Sequence, residues 1–253
     1  MADDCGDTGC GSIFELQPPS APGGRWTLLD IHDFLLNIPD GLAPNGVLLG
    51  PGGVLYGTTC CSVGEGAGIV FKLTPAAGGA WTEEILYAFT GNVGDGDGYR
   101  PNTVTPDGSG GFFGTTQKGG SSSLGFGTVF HLTHSGSVWA ESVIYTFTDG
   151  NDGAAPQGGV LVDSSGNLYG TTERGGLAPC TANGGTGCGT VFKLSPPTGT
   201  ASSWSLTTVH DFVGGIDGVG PHGNMLFEDG ILYGVTAFGG SSANAGTVFR
   251  VTP

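Results

Sequence analysis

The sequence predicts an all-β fold, a β-propeller of about four four-stranded blades, because three motifs recur along the chain. A Tyr-Gly-Thr-Thr block, or a variant of it, begins at Tyr56, Phe113, Tyr169 and Tyr233. A tryptophan recurs at Trp26, Trp81, Trp139 and Trp204. A β-branched residue followed by Phe recurs at Ile13, Val70, Val129, Val191 and Val248. Short apolar runs bounded by Gly, Pro, Asn and Asp indicate strands, and their repetition predicts stacked supersecondary units.

Each repeat is expected to contribute four antiparallel strands. Strand A follows a Pro, strand B carries the Tyr-Gly-Thr-Thr block, strand C carries Val-Phe, and strand D begins at the Trp. Each Trp precedes a Tyr or His by six residues, and a Phe follows two residues later. The predicted units are a partial one at 13–34 (strands C and D), complete ones at 44–89, 101–147 and 156–212, and a partial one at 221–253 (strands A to C).

This order predicts a single propeller domain over residues 1–253. The last unit lacks strand D and the N-terminal hairpin supplies one, so N-terminal strands would close the ring and remove exposed edges. There are five C strands for four blades. The surplus one either lies outside strand D or stays an edge that another molecule pairs with.

Composition excludes several classes of partner. The formal net charge is −15 with only seven basic residues, which argues against nucleic acid and against an anionic membrane surface. No run approaches the roughly 18 apolar residues that a membrane-spanning helix requires. The 52 glycines are assigned to turns, because the apolar fraction is ordinary and the strand runs are regular.

The cysteines all fall in the predicted B-to-C loops: Cys5, Cys10, Cys60, Cys61, Cys180 and Cys188. Disulfides that staple these loops are the favoured interpretation. Cys60 and Cys61 could bridge each other, pair with a neighbouring loop or stay free. An even number of cysteines in loops favours an oxidising compartment, and the spacing does not match structural zinc sites.

An Asp-Gly pair followed by Pro marks each D-to-A connection, with the aspartates Asp40, Asp97, Asp152 and Asp217. The leading interpretation is turn chemistry, in which Asp accepts backbone hydrogen bonds and Gly takes a positive φ. The alternative is a ring of ligand-binding carboxylates on the propeller face that also carries the B-to-C loops. Oxygen-rich loops also raise calcium as a minority interpretation, with Asp95, Asp97, Asp149 and Asp152 as ligands; otherwise no cofactor is expected.

No catalytic motif stands out. His131 and His134 are three apart on a strand and would point to opposite faces, so a metal pair is disfavoured. His32 and His210 replace Tyr87 and Tyr145, and packed strand positions are expected for them. The four Trp residues are expected to pack between blades.

The recurring sequences resemble the GloVer tandem repeat. The likeness rests on Gly166–Thr172, Gly189–Pro196, the run from Trp81 to Phe89, and Asp152-Gly153 with Pro156. It covers the chain from Gly11 onward and implies an exported bacterial protein with no established activity. This chain shows neither the signal peptide nor the surface anchor of that pattern. The strand order is also similar to that of NHL-type propellers, which mostly bind partners.

These observations predict an extracellular or cell-surface binding or scaffolding propeller that is not an enzyme. Its Cys-rich and Asp-Gly loop face would bind a glycan or a protein. One alternative is a structural subunit that self-associates through its surplus N-terminal strand. A second is a hydrolase or lyase acting at the channel mouth, for which the sequence supplies no nucleophile and base.

Overall fold

The computed structural model describes residues 10–35, 41–61, 67–91, 96–120, 125–177, 180, 187–241 and 244–253. Within these ranges the regular structure consists of β-strands and short 3-10 turns, so the predicted all-β class is confirmed. The chain divides into two compact units, residues 1–89 and residues 90–253. Each is described separately below. The single domain and the ring closed by N-terminal strands stay predictions.

The N-terminal unit contains a hairpin and one complete four-stranded blade. The hairpin pairs β1 (Ser12–Gln17) with β2 (Thr27–Asp33). The blade has the strand order β3 (Leu42–Leu49), β4 (Leu55–Cys61), β5 (Ile69–Pro75) and β6 (Trp81–Ala88). A core cluster that includes Ile13, Phe34 and Phe71 joins the hairpin to this blade.

The C-terminal unit contains two complete blades and a three-stranded sheet. The first blade comprises β7 (Tyr99–Pro101), β8 (Thr105–Pro106), β9 (Phe112–Lys118), β10 (Thr128–Ser135) and β11 (Val138–Thr146), with β7 and β8 as two pieces of strand A. The second comprises β12 (Leu161–Val162), β13 (Leu168–Thr172), β14 (Thr190–Ser195) and β15 (Ser205–Asp211). The last sheet comprises β16 (Val219–Glu228), β17 (Ile231–Phe238) and β18 (Thr247–Val251). We call the second blade the complete repeat and the last sheet the terminal repeat.

The glycine of each Tyr-Gly-Thr-Thr block lies directly opposite the Phe of strand C. The cross-strand pairs are Gly57 with Phe71, Gly114 with Phe130, Gly170 with Phe192, and Gly234 with Phe249. In each pair a Cβ on the glycine would collide with the phenylalanine ring. The block and the Val-Phe motif therefore form one packing unit, since the ring lies across the backbone of strand B.

The last Thr of the block fixes the start of the following strand C. Thr172 Oγ1 donates to the Arg174 carbonyl at 3.0 Å and accepts from the Thr190 backbone N–H at 3.1 Å. It also lies 2.9 Å from Thr190 Oγ1. The same three bonds recur at Thr116 with Thr128 and at Thr236 with Thr247. These threonines are buried, except for the half-buried Thr247, and their hydroxyls have their hydrogen bonds satisfied, as the cost of burying a polar group requires.

In three of the four sheets that contain it, strand A begins earlier than the sequence predicts, whereas β12 of the complete repeat begins later, at Leu161. β3, β7 and β16 begin at Leu42, Tyr99 and Val219, two residues before the Pro that was expected to open the strand. The residue just before each Pro has a positive φ, at Ala43 (53°), Arg100 (57°), Ala155 (53°) and Gly220 (63°). Proline has no N–H to donate to the neighbouring strand. The left-handed residue before the Pro lets strand A pair with strand B both before the Pro and at the Pro itself.

The core of the C-terminal unit lies between successive sheets. One cluster packs the first blade against the complete repeat and includes Phe147, Phe192 and Leu194. Trp204 belongs to it and meets the Phe113 ring edge-on at 5.8 Å, which confirms packing between blades for this tryptophan. A second cluster packs the complete repeat against the terminal repeat. Trp26, in the N-terminal unit, differs because 62% of it is exposed.

Candidate functional site

The candidate site is the loop face of the C-terminal unit, which we define as its described D-to-A and B-to-C loops together with the strand residues that adjoin them. In the complete repeat the two loops meet through glycine backbones. Gly176 N–H donates to the Gly150 carbonyl at 2.9 Å, and a Cβ on Gly175 would fall on the backbone of Gly153. The terminal repeat has the same arrangement, with Gly240 N–H bonded to the Gly215 carbonyl at 2.8 Å. Much of the glycine content therefore serves close approach of two loops rather than isolated turns.

The Asp-Gly aspartates hold the D-to-A connections. Asp152 accepts hydrogen bonds from the Thr148 N–H and hydroxyl and from the Tyr145 hydroxyl. Asp97 accepts the equivalent bonds from Thr90. Burial first, then the charge and hydrogen bond of Asp152, raise the pKa of Tyr145. The Tyr or His of strand D thus secures the carboxylate of the loop that follows it.

His210 makes the same contact in the next connection. Its Nε2 lies 3.1 Å from Asp217, which also accepts from the Val213 N–H. His210 further packs edge-on against Phe212 at 4.8 Å, as Tyr145 does against Phe147 at 5.3 Å. The expectation that His210 occupies the same packed strand position as Tyr145 is thereby confirmed.

These contacts favour the turn interpretation of the Asp-Gly motif. Ligand binding by Asp97, Asp152 and Asp217 stays a prediction, and Asp40 lies outside the described residues. The glycines that follow have a positive φ and pack on a Thr of strand B, so each pair supplies both a carboxylate and a close contact. Each of these glycines packs on the last Thr of a Tyr-Gly-Thr-Thr block, so the Asp-Gly motif and the block form one structural unit.

The calcium prediction also remains a prediction. Asp149 has a positive φ of 62° and one carboxylate oxygen that is buried without a hydrogen-bond partner. Burial raises the pKa of Asp149, Arg174 opposes this, and Asp152 reinforces it. Asp95 lies outside the described residues. Within the described ranges, no three His, Cys, Asp or Glu side chains converge as metal ligands.

A polar side-chain cluster that the sequence did not reveal lies on the loop face. Gln117 donates to the Gln157 side-chain carbonyl, and Gln157 donates to Glu173. All three side chains are half-buried. Gln117 and Glu173 each follow the last Thr of a Tyr-Gly-Thr-Thr block, at a position where the other repeats carry Cys60 and Ala237. This variation within an otherwise repeated motif is the signal that could have found them.

The strand A segments of the C-terminal unit are joined by side-chain hydrogen bonds. The side-chain carbonyl of Asn224 accepts from the Thr103 hydroxyl at 2.9 Å and from the Gly159 N–H at 2.8 Å. Asn102 donates to the Thr115 hydroxyl and to the Pro156 carbonyl, both at 2.8 Å. Strand A of three successive sheets is therefore fixed around Asn224.

A small cavity opens beside the Cys180–Cys188 disulfide. The bond joins two cysteines that are 2% and 1% exposed and that belong to the core cluster shared by the complete and terminal repeats. It was expected to staple a surface loop, but it is buried because Phe212 and Val219 pack in the same cluster. The cavity measures about 180 Å³ and its walls include Gly214, Ser241 and Asn244.

Of the other four cysteines, the structure describes Cys10, Cys60 and Cys61. Cys60 and Cys61 form a vicinal disulfide at the end of β4, which is one of the three alternatives that the sequence left open. They were expected in a loop but are the last two residues of a strand, because Cys61 pairs with Leu42. Cys10 is buried, and its expected partner Cys5 lies outside the described residues.

A second carboxylate motif holds the A-to-B turns at the opposite end of the blades. Asp107 accepts hydrogen bonds from Ser109, Gly111 and His131, and these bonds outweigh its burial and lower the pKa of Asp107 to about 2. Asp163 receives the equivalent set from Ser165, Asn167 and Tyr169, which lowers its pKa despite burial.

The Ser109, Asp107 and His131 contacts do not form a nucleophilic triad. Both the hydroxyl and the imidazole bond to the carboxylate, whereas activation of a serine requires a hydroxyl bonded to the imidazole. His131 also stacks on Phe113 at 4.3 Å, whereas His134 contacts Trp139. The expectation that the two histidines do not act as a metal pair agrees with these separate surroundings.

No helix in the described part of the chain is long and apolar enough to cross a bilayer. A family model described as the Gloeobacter/Verrucomicrobia repeat matches residues 1–201 and 85–253. No curated protein matches the chain.

A solved structure shows the fold more directly. It is a crystal structure from Thermus thermophilus described as an oxidoreductase (glucose dehydrogenase), and it is 12% identical with a TM-score of 0.54. The match covers 85% of this chain and 63% of that protein, so this chain spans less than two thirds of its length. At this identity the likeness shows the fold alone, and the predicted β-propeller class is confirmed.

Proposed function

We propose that this chain, which belongs to the Gloeobacter/Verrucomicrobia repeat family, is a binding module. Its ligand would contact the loop face of the C-terminal unit. The observation that carries the proposal is the Gln117–Gln157–Glu173 cluster. It occupies variable positions of the repeat, whereas the repeated residues around it are committed to packing and turns. Function in repeat proteins concentrates where the repeat varies on one face.

The chemistry of the cluster favours a neutral, hydroxyl-rich ligand such as a glycan. Two amides and a carboxylate offer both donors and acceptors, which matches a hydroxyl's ability to donate and accept. The net charge of −15 disfavours polyanions, because long-range repulsion would oppose their approach. The loops are held by glycine backbone contacts and buried carboxylates, so the face is preorganised and loses little entropy on binding.

An extracellular or cell-surface location belongs to this proposal. The Cys60–Cys61 and Cys180–Cys188 disulfides support it, because disulfides persist in oxidising compartments. The buried Cys180–Cys188 bond also contributes to the core on which the loop face rests.

A glycan array probed with the labelled full chain tests the proposal. We expect neutral glycans to bind the wild type, and we expect Gln157→Ala and Glu173→Ala to lose at least about tenfold in affinity, since each leaves a polar partner without its hydrogen bond. Ser164→Ala is the matched control, because Ser164 is exposed in the A-to-B turn of the same blade. Glycan binding that survives both cluster substitutions would place the site elsewhere.

A second candidate function is self-association, favoured by exposed apolar side chains at both ends of the strand order. In the N-terminal hairpin, Phe14 and Leu16 are about half exposed. In the terminal repeat, β18 is the outermost strand among the described residues of that sheet, and Val248 is 82% exposed. Unpaired edges with apolar faces favour pairing between chains.

Light scattering behind a sizing column tests this second candidate, with the full chain compared with a chain that lacks residues 1–18. Assemblies that dissociate on deletion would support a structural role for the N-terminal strand. A monomer in both cases would exclude that role and leave binding at the loop face.

A further inference from the structure

The two described disulfides differ sharply in exposure. Cys180 and Cys188 lie in a core cluster and are 2% and 1% exposed. Cys60 and Cys61 are both half-buried, at the end of β4. Thiol–disulfide exchange requires in-line access of an attacking thiolate to one sulfur, so exposure separates the two bonds kinetically.

Chain geometry separates them further. Adjacent Cα atoms lie about 3.8 Å apart, whereas most protein disulfides join Cα atoms about 4.4 to 6.8 Å apart. Successive side chains of a strand also point to opposite faces, so a bridge between neighbours forms against the pleat of β4. Bonds outside the usual geometry are more readily reduced.

The fold does not depend on the vicinal bond. A bridge between adjacent residues closes almost no chain, so it removes little entropy from the unfolded state, in contrast to the eight-residue separation of Cys180 and Cys188. The corresponding pairs in the other repeats are Gln117-Lys118, Glu173-Arg174 and Ala237-Phe238. All these pairs complete strand B or follow it directly without sulfur chemistry.

We propose that Cys60–Cys61 is a thiol-exchange site that a small dithiol reduces, and that the disulfide form of the same compound reoxidises, while Cys180–Cys188 stays intact. One thiolate of the reductant attacks a sulfur of the vicinal bond, which breaks and forms a mixed disulfide. The second thiol of the reductant then displaces the protein sulfur. Two electrons and two protons pass to Cys60 and Cys61, and the reductant leaves as its disulfide.

The product is a pair of adjacent thiols, which has its own chemistry. Two neighbouring sulfur atoms can bind one soft, thiophilic atom together, a reaction that a single thiol or two distant thiols do not share. A trivalent organic arsenical is therefore a specific probe of the reduced site.

The test treats the native full chain with dithiothreitol, traps thiols with iodoacetamide over time, and maps the labelled cysteines by mass spectrometry. We expect Cys60 and Cys61 to label at least about tenfold faster than Cys180 and Cys188, because access and geometry both favour attack there. Circular dichroism in the far ultraviolet, which reports the strands, should remain unchanged during the fast phase. Phenylarsine oxide added after dithiothreitol has been removed by desalting should block labelling of both residues.

One control variant makes the result decisive. The Cys60→Ser, Cys61→Ser double variant should lose the fast phase and arsenical binding while retaining the slow phase. Should that variant fail to fold, the wild-type time course still decides the matter. Equal labelling rates at both disulfides, or labelling of Cys60 and Cys61 only after denaturation, would overturn the proposal.

Discussion

The complete and terminal repeats carry the same strand C motif but bury it differently. Val191 and Phe192 of β14 are fully buried, whereas Val248 of β18 is 82% exposed and Phe249 is half-buried. β14 has a paired strand on each side, whereas β18 is the outermost strand of its sheet in the described part of the chain. The motif thus specifies cross-strand pairing in both repeats, and neighbouring elements decide how much apolar surface leaves water.

The largest expected effect tests this difference at the phenylalanine. Phe192→Ala should lower the free energy of unfolding by about 3–5 kcal/mol, because it empties a fully buried site against Gly170 and Phe147. Phe249→Ala should cost about 1–2 kcal/mol, since that ring is partly exposed. Urea unfolding of both variants gives the comparison. Equal losses would show that edge position does not matter.

Two glycine substitutions near the start of the terminal repeat should distinguish the cost of a steric collision from the cost of a positive φ alone. Gly218→Ala should cost about 2–3 kcal/mol, because its Cβ would collide with Thr236 and Thr247 and its φ is 104°. Gly220→Ala should cost about 1 kcal/mol, since φ is 63° and the nearest atom, Glu173 Cγ, would lie 3.7 Å away. Thermal unfolding measures both. A Gly220 variant as unstable as the Gly218 variant would contradict the steric argument.

Glu141 should make the stability of the protein depend on pH. The complete repeat carries the uncharged Leu206 at the corresponding place in strand D. Burial, and then the charge of Asp97, raise the pKa of Glu141 to about 7. Its stabilising contribution is therefore complete below the usual carboxyl pKa and is lost as pH rises through 7. At pH 8, Glu141→Gln should be about 1 kcal/mol more stable than wild type, after allowance for partial exposure.

Urea unfolding between pH 5 and pH 8 checks this prediction, with Glu228→Gln as the control at an exposed carboxylate of β16. The Glu141 variant should show a flatter pH dependence than wild type, and the Glu228 variant should retain the wild-type slope. A wild-type slope in the Glu141 variant would contradict the assignment.

The smallest expected effect concerns the A-to-B turns. The complete repeat uses Asp163, whose carboxylate accepts four hydrogen bonds, whereas the terminal repeat uses Asp229-Gly230 with positive φ at both residues. Asp163→Ala should cost about 1 kcal/mol at pH 7. Because its pKa is lowered, this contribution is lost as pH falls through the acid range.

The matched change, Asp229→Asn, should alter stability by less than about 0.5 kcal/mol, since Asn suits a positive φ equally well. Thermal unfolding at pH 7 and at pH 3 compares the two turns. If the stability difference between wild type and Asp163→Ala were the same at pH 7 and at pH 3, a role for the ionised carboxylate would be contradicted.

The sequence predicted strands B, C and D well because their motifs reflect cross-strand contacts, such as Gly170 with Phe192. It misplaced the start of strand A, because a positive φ before Pro is invisible in residues as different as Ala43 and Arg100. It found the Asp-Gly turns but missed Asp107 and Asp163, whose turns vary in sequence from repeat to repeat. Gln117, Gln157 and Glu173 are brought together only by the packing of adjacent sheets.

The buried threonine pairs supply a set of natural reporters. Thr172 gives its single hydroxyl proton to the Arg174 carbonyl, so the proton between Thr172 and Thr190 must come from Thr190. The same orientation holds for Thr128 and Thr247. Hydroxyl protons held in this way exchange slowly with solvent and give separate magnetic resonance signals. Their individual lifetimes would therefore measure how often each sheet of the C-terminal unit opens, without any label.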